Sequence, residues 1–151
     1  MRVLVVDDNP VDRERVRRAL RKLSATEGVE IEVAEAADGL QAIEALEAGP
    51  SPDLVVTDLS MPGFVTGYQV EQVASRRGVR VEVMSGLPPL APHWAAKTRS
   101  KDRLDWLRDA VLLEGQRQGP RRTITGPLRR VLMAGASATG VLAVALLSGW
   151  M

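Results

Sequence analysis

The sequence predicts an α/β fold, a doubly wound parallel sheet of five strands with helices on both faces. Three observations carry that expectation. Strand-like apolar runs alternate with amphipathic helical segments along residues 1–115, a pattern that calls for parallel strands joined by right-handed crossovers. Two of the runs, Val3-Leu4-Val5-Val6 and Leu54-Val55-Val56-Thr57, are continuously apolar or β-branched, as in strands buried on both faces. Both then meet acid, at Asp7-Asp8 and at Asp58, about fifty residues apart. Parallel sheets bind ligands beyond the carboxyl ends of their strands. The three carboxylates therefore arrive at one edge, where they repel unless a cation gathers them.

Each element follows in order. Asn9-Pro10 after the first strand is a cap with proline at the first helical position. The first helix runs to about Leu23, with Val11, Val16, Leu20 and Leu23 turned to the sheet. Residues 30–35 alternate, with Ile31, Val33 and Ala34 apolar, as in a strand near an edge. Asp38-Gly39 opens a second helix through Leu40, Ile43, Ala45 and Leu46, stopped before Gly49-Pro50. Residues 53–57 form the third strand. Phe64 to Tyr68 reads as a glycine-containing turn leading into a third helix over 68–77. A fourth strand covers 79–84 and ends at Ser85-Gly86. Pro88, Pro89 and Pro92 then exclude a regular helix interior. A weak fifth strand over 96–100 precedes an amphipathic helix from Asp102 to about Leu113, with Leu104, Leu107, Val111 and Leu112 inward. Trp94 and Trp106 are expected to pack against the domain.

The chain has 151 residues and no cysteine, which excludes disulfides and thiolate metal sites and fits a reducing compartment. Acid at Asp7, after only four apolar residues, argues against a secretory signal peptide. The net charge of +1 hides an asymmetry. Residues 1–115 hold 15 Lys and Arg with all 19 Asp and Glu, whereas residues 116–151 hold five arginines and no acid. Three regions follow: a domain over 1–115, a basic linker over 116–130, and an uncharged run of 21 residues over 131–151.

The segments VLVVDDNP and DLVVTDLSMPG, the strand-end Ser85 and Lys101 together resemble the receiver domain of bacterial two-component response regulators. The resemblance covers residues 1–115 and implies a flavodoxin-like sheet. It implies that Asp58 is the phosphoacceptor, and that Asp7, Asp8 and Asp58, with a backbone carbonyl near Ser60, hold Mg²⁺. Lys101 would contact the phosphoryl group and Ser85 would offer it a hydroxyl. The chemistry is consistent with these roles. A carboxylate attacking an anionic phosphorus needs its charge offset, and Mg²⁺ is a hard cation suited to carboxylate oxygens. The transfer itself needs positioning and electrostatic stabilisation. The plainer alternative, that the acids only cap helices and turns, suits Asn9 better than acids ending two buried strands.

The departures from the family lie after Ser85. Only 15 residues separate it from Lys101, so the family's fourth helix is expected to be shortened or missing. Residues 96–100 lack the family's apolar and aromatic residues, Thr98 stands near its switch aromatic, and Asp102 replaces its proline. Lys97 competes with Lys101 for the lysine role. His93 sits beside a proline in an irregular loop, unlike an exposed helical phosphohistidine.

Residues 131–151 would span about 31 Å as a helix, against a hydrocarbon core of about 30 Å. Arg121, Arg122, Arg129 and Arg130 precede the run, as on a cytoplasmic flank, and Trp150 suits an interface. A C-terminal single helix, transmembrane and inserted after synthesis because nothing follows Met151, is the expectation. The alternative is a buried association helix, which normally keeps a polar face. The linker arginines, without aromatics or a recognition motif, point to anionic lipid rather than nucleic acid.

The sequence thus predicts a single-domain, membrane-anchored response regulator on the cytoplasmic face, phosphorylated on Asp58 by a sensor histidine kinase or phosphotransfer protein. It is expected to be a phosphoacceptor that assists its own phosphorylation and dephosphorylation, not an enzyme. One alternative is a degenerate receiver acting as a phosphorylation-independent interaction module at the membrane. A metal-dependent phosphohydrolase is disfavoured, because no general base stands beside Asp58 in the sequence.

Overall fold

The two acid-terminated runs pair side by side at the middle of a five-stranded parallel sheet. They are β1 (Arg2–Val6) and β3 (Leu54–Asp58). With β2 (Glu32–Ala36), β4 (Arg80–Ser85) and β5 (Thr98–Ser100), the spatial order is β2-β1-β3-β4-β5. The computed structural model describes residues 1–87 and 92–118, which belong to one compact unit, Met1–Gly119. The helices are α1 (Pro10–Glu27), α2 (Gly39–Ala48), α3 (Gly67–Arg76), α4 (Pro92–Ala95) and α5 (Trp106–Gln118). The expected α/β class and the shortened fourth helix are both observed.

Side-chain alternation along the strands divides the core in two. Val3, Val5, Leu54 and Val56 join Val16 and Leu20 of α1 and Leu107, Ala110 and Val111 of α5. Leu4, Val6 and Val55 join Ala42 and Leu46 of α2 and Val70 and Ala74 of α3. Both faces of β1 and β3 are thereby buried, which explains why their sequences are continuously apolar. The register sets Val6 opposite Thr57, so the next residues, Asp7 and Asp58, stand as neighbours at the carboxyl end of the two strands.

Several boundaries and facings differ from the sequence reading. α1 extends a turn beyond Leu23 and stops where Gly28 takes a left-handed φ of 67°. Val11 is exposed rather than inward, because five positions before Val16 lies about 140° around the helix from the buried stripe. Leu40 is likewise exposed, since the buried face of α2 is Gly39, Ala42 and Leu46. α5 begins at Trp106, and Leu104 packs against the α1–α5 side of the core from the preceding loop. The helix continues through residue 115 to Gln118. The remaining linker, the expected helix over 131–151 and loop residues 88–91 lie outside the described residues. Among the described residues, no helix is long and apolar enough to cross a membrane.

Candidate functional site

Asp7, Asp8 and Asp58 converge at the carboxyl edge of β1 and β3. One oxygen from each lies within 4.8 Å of the others. Asp7 is fully buried and Asp58 nearly so, while Asp8 is exposed. The loops are fixed locally. Asn9 donates its backbone N–H to Asp7 Oδ1 at 2.9 Å and caps α1 by accepting from Val11 N at 3.0 Å. Ser60 donates its N–H to Asp58 Oδ1 at 3.3 Å, and Leu59 N–H bonds Met84 O at 2.8 Å.

Lys101 enters from the loop after β5. Its Nζ lies 2.7 Å from Asp7 Oδ2 and 2.9 Å from Asp58 Oδ2. A third carboxylate, Asp12 of α1, stands 3.4 Å away. Lys97 is exposed, and its N–H bonds Trp94 O. Of the two lysines, Lys101 reaches the acids. Ser85, buried at the end of β4, accepts the Leu87 N–H on its hydroxyl at 3.2 Å, and its carbonyl accepts from Lys101 N at 3.1 Å. Ser85 and Lys101 are thus joined by the β4–β5 ladder.

Electrostatics follow from this crowding. Burial raises the pKa of Asp7 above its ordinary value, overriding the opposing hydrogen bonds from Lys101 and Asn9. Burial alone would weaken the Lys101 ammonium, but its hydrogen bonds to Asp7 and Asp58 outweigh it and raise the pKa. The lysine therefore remains charged throughout the physiological range. With Asp7, Asp58 and Asp12 sharing one ammonium and Asp8 beside them, excess negative charge remains, and Asp7, Asp8 and Asp58 form an all-oxygen donor set. That set fits a hard divalent cation, which would relieve the cost of ionising Asp7.

Three residues unremarked in the sequence also support the site. Arg13 donates Nη1 to the carbonyls of Asp7 (2.7 Å) and Asp8 (3.4 Å) while pairing with Glu35 at 3.3 Å. Asp12 and Arg15 reach the Lys101 ammonium and carbonyl respectively. Their only sequence signal is an acid and two arginines in the first turns of a helix that begins beside the acidic pair. Gly67 packs against the Asp58 carbonyl so closely that a Cβ would collide with it. This explains a glycine at the start of α3.

Other singled-out residues stay outside the acidic cluster. His93 is exposed, and Trp94 makes an edge-to-face contact with Tyr68, with centroids 5.5 Å apart. Trp106 packs against the core and donates Nε1 to Ser100 O. Phe64 is fully exposed in the turn before α3. Thr98 is half-buried opposite Val83, and Asp102 is exposed.

Comparison with known proteins agrees with this geometry. The family model for the response regulator receiver domain matches residues 3–86, more than half of the chain. Protein-glutamate methylesterase/protein-glutamine glutaminase 5 of Myxococcus xanthus is 48% identical over 64 residues, covering 42% of this chain and 17% of that protein. The positive alginate biosynthesis regulatory protein of Pseudomonas aeruginosa is 37% identical over 70 residues, covering 46% and 26% respectively. The chain thus spans a minor part of these relatives. Among solved structures, the receiver domain of the response regulator NarL from Mycobacterium tuberculosis is 32% identical, with a TM-score of 0.55 over 74% of this chain and 92% of that one. Response regulator TrrA of Thermotoga maritima, in complex with Mg²⁺ and BeF, is 27% identical, with a TM-score of 0.56 over 75% and 97%.

Proposed function

The chain belongs to the response regulator receiver domain family, and from that premise we propose that it takes a phosphoryl group on Asp58 from a sensor histidine kinase or phosphotransfer protein. The observation that carries this reading is the Lys101 ammonium lying 2.7 Å from Asp7 and 2.9 Å from Asp58 at the edge where three carboxylates meet. A carboxylate oxygen of Asp58 attacks the phosphorus, the bond from phosphorus to the donor breaks, and the donor leaves with the electron pair. Lys101 then meets a phosphoryl oxygen with its ammonium, and Ser85, whose hydroxyl accepts from the Leu87 N–H, donates its hydrogen to another. Mg²⁺, held by Asp7, Asp8, Asp58 and the Ser60 carbonyl, would offset phosphoryl charge when bound. In this reading the chain is a phosphoacceptor rather than a turnover enzyme.

The uncharged run 131–151 supports a further part of the proposal, that the receiver is held at the cytoplasmic face of a membrane. Acetyl phosphate with Mg²⁺ should add one acid-stable, base-labile phosphoryl group, and Asp58→Asn should abolish it. Labelling that persists in Asp58→Asn would reject the acceptor assignment. A second reading, a receiver working without phosphorylation, is favoured by the four-residue α4 and the three-residue polar β5. Wild-type protein that never labels while still capturing its partner would favour it.

A further inference from the structure

Lys101 follows a strand that lends it little support. β5 has three residues, none buried, and lies at the sheet edge. Its fastenings are the ladder to β4, the pair between Arg99 and Glu82 at 3.1 Å, and the Trp106 Nε1 bond to Ser100 O at 3.3 Å. Lysine carries four rotatable bonds, so a weak strand alone would leave its ammonium poorly placed. The side chain is nevertheless only 12% exposed and is held at three carboxylates.

Helix α1 accounts for the difference. Asp12 Oδ2 lies 3.4 Å from Lys101 Nζ, and Arg15 Nη2 donates to the Lys101 carbonyl at 3.2 Å. Asp12 and Arg15 pair with each other at 3.2 Å, and Asn9 Nδ2 donates to Asp12 Oδ2 at 3.3 Å. This helix is rigidly seated, capped by Asn9 and buried along Val16 and Leu20. Both ends of the lysine residue, ammonium and carbonyl, are therefore tied to one firm element across 86 to 89 residues of sequence.

We propose that Asp12 and Arg15 are positioning residues that clasp Lys101 from α1 and so set how tightly the site takes a phosphoryl group. The proposal rests on Lys101 binding that group, as read above. Binding is tighter when a side chain is already ordered in its bound position, because less freedom is lost on association. Asp12→Asn keeps the shape and removes the charge facing the ammonium. Arg15→Ala releases the carbonyl without touching it.

The test is calorimetric titration of the full chain with beryllofluoride in saturating Mg²⁺. Wild type would be compared with Asp12→Asn, Arg15→Ala, Lys101→Ala and the Asp12→Asn/Lys101→Ala pair. Each clasp variant should bind about fivefold more weakly, a modest charge-assisted contact, with Mg²⁺ affinity alone within about twofold of wild type. In the Lys101→Ala background, Asp12→Asn should add no further loss. A purely structural role for Asp12 would persist in that background and would overturn the proposal. So would Asp12→Asn binding as tightly as wild type or more so. If Lys101→Ala itself binds like wild type, the role given to Lys101 fails and the clasp fails with it. If only the Asp12 and Arg15 effects are missing, the clasp alone is rejected.

Discussion

Lys101 and Asp7 form a close ion pair, 2.7 Å apart. The carboxylates around the ammonium raise its pKa, whereas burial raises that of Asp7. Removing the ammonium should therefore not weaken Mg²⁺ binding, since it competes with the dication for the same oxygens. Lys101→Ala should instead lose beryllofluoride affinity by about tenfold or more, whereas Lys97→Ala, altering an exposed residue, should be silent in the same titration. Loss in the Lys97 variant alone would reverse the assignment. Asp7→Asn should raise the unfolding midpoint in metal-free buffer while abolishing stabilisation by Mg²⁺. The sign follows from linkage: a carboxyl whose folded pKa is raised binds more protons when folded, so its ionisation costs stability as pH rises. The advantage of Asp7→Asn should accordingly shrink as pH falls toward the ordinary aspartate value of 3.8, which unfolding at a series of pH values would measure.

Among the elements, α3 and β5 bear most directly on the site. The start of α3 presses Gly67 against the Asp58 carbonyl, so the helix and the acceptor loop cannot move independently. Gly67→Ala should destabilise the domain by about 1–3 kcal/mol through overpacking and slow acetyl phosphate labelling by displacing Asp58. Urea unfolding together with labelling kinetics would check both effects. β5 is fastened to β4 by charge where an apolar strand would use packing. Glu82, buried, pairs with Arg80 at 2.7 Å and with Arg99 at 3.1 Å. Glu82→Gln should cost about 1–3 kcal/mol, because a weaker acceptor is left facing two guanidinium groups. An unchanged unfolding midpoint would mean that β5 does not depend on this cluster.

For the whole molecule, the charge asymmetry separates an acidic receiver from a basic, uncharged-ended tail. If the run 131–151 inserts in a bilayer, the full chain should remain in the membrane pellet after high salt and after carbonate, which strip electrostatically bound proteins. A chain ending at Gln118, where α5 closes the described unit, should be released. Recovery of the full chain in the supernatant as a defined oligomer would reject the anchor and favour an association helix. Anchoring would leave the phosphorylation chemistry unchanged, since the acids, Ser85 and Lys101 all lie before residue 118.

Much of this architecture is legible in the sequence. Continuous apolar runs marked β1 and β3 because strands covered on both faces are near-continuously hydrophobic. Asn9-Pro10 marked the start of α1 because caps act within a few residues. The convergence of Asp7, Asp8 and Asp58 followed from strand ends that are themselves local signals, whereas Ser85 and Lys101 entered through the resemblance to a known family. Helix ends and facings were less legible: Val11 and Leu40 are apolar yet point outward, since one position around a helix decides which residue the sheet covers. The choice between Lys97 and Lys101, and the support from Arg13, Asp12 and Arg15, lay beyond local pattern altogether. Those contacts join positions brought together by the register of β4 with β5 and the seating of α1 on the sheet. A side chain's partner across 89 residues depends on where two elements pack, and no spacing along the chain encodes that distance.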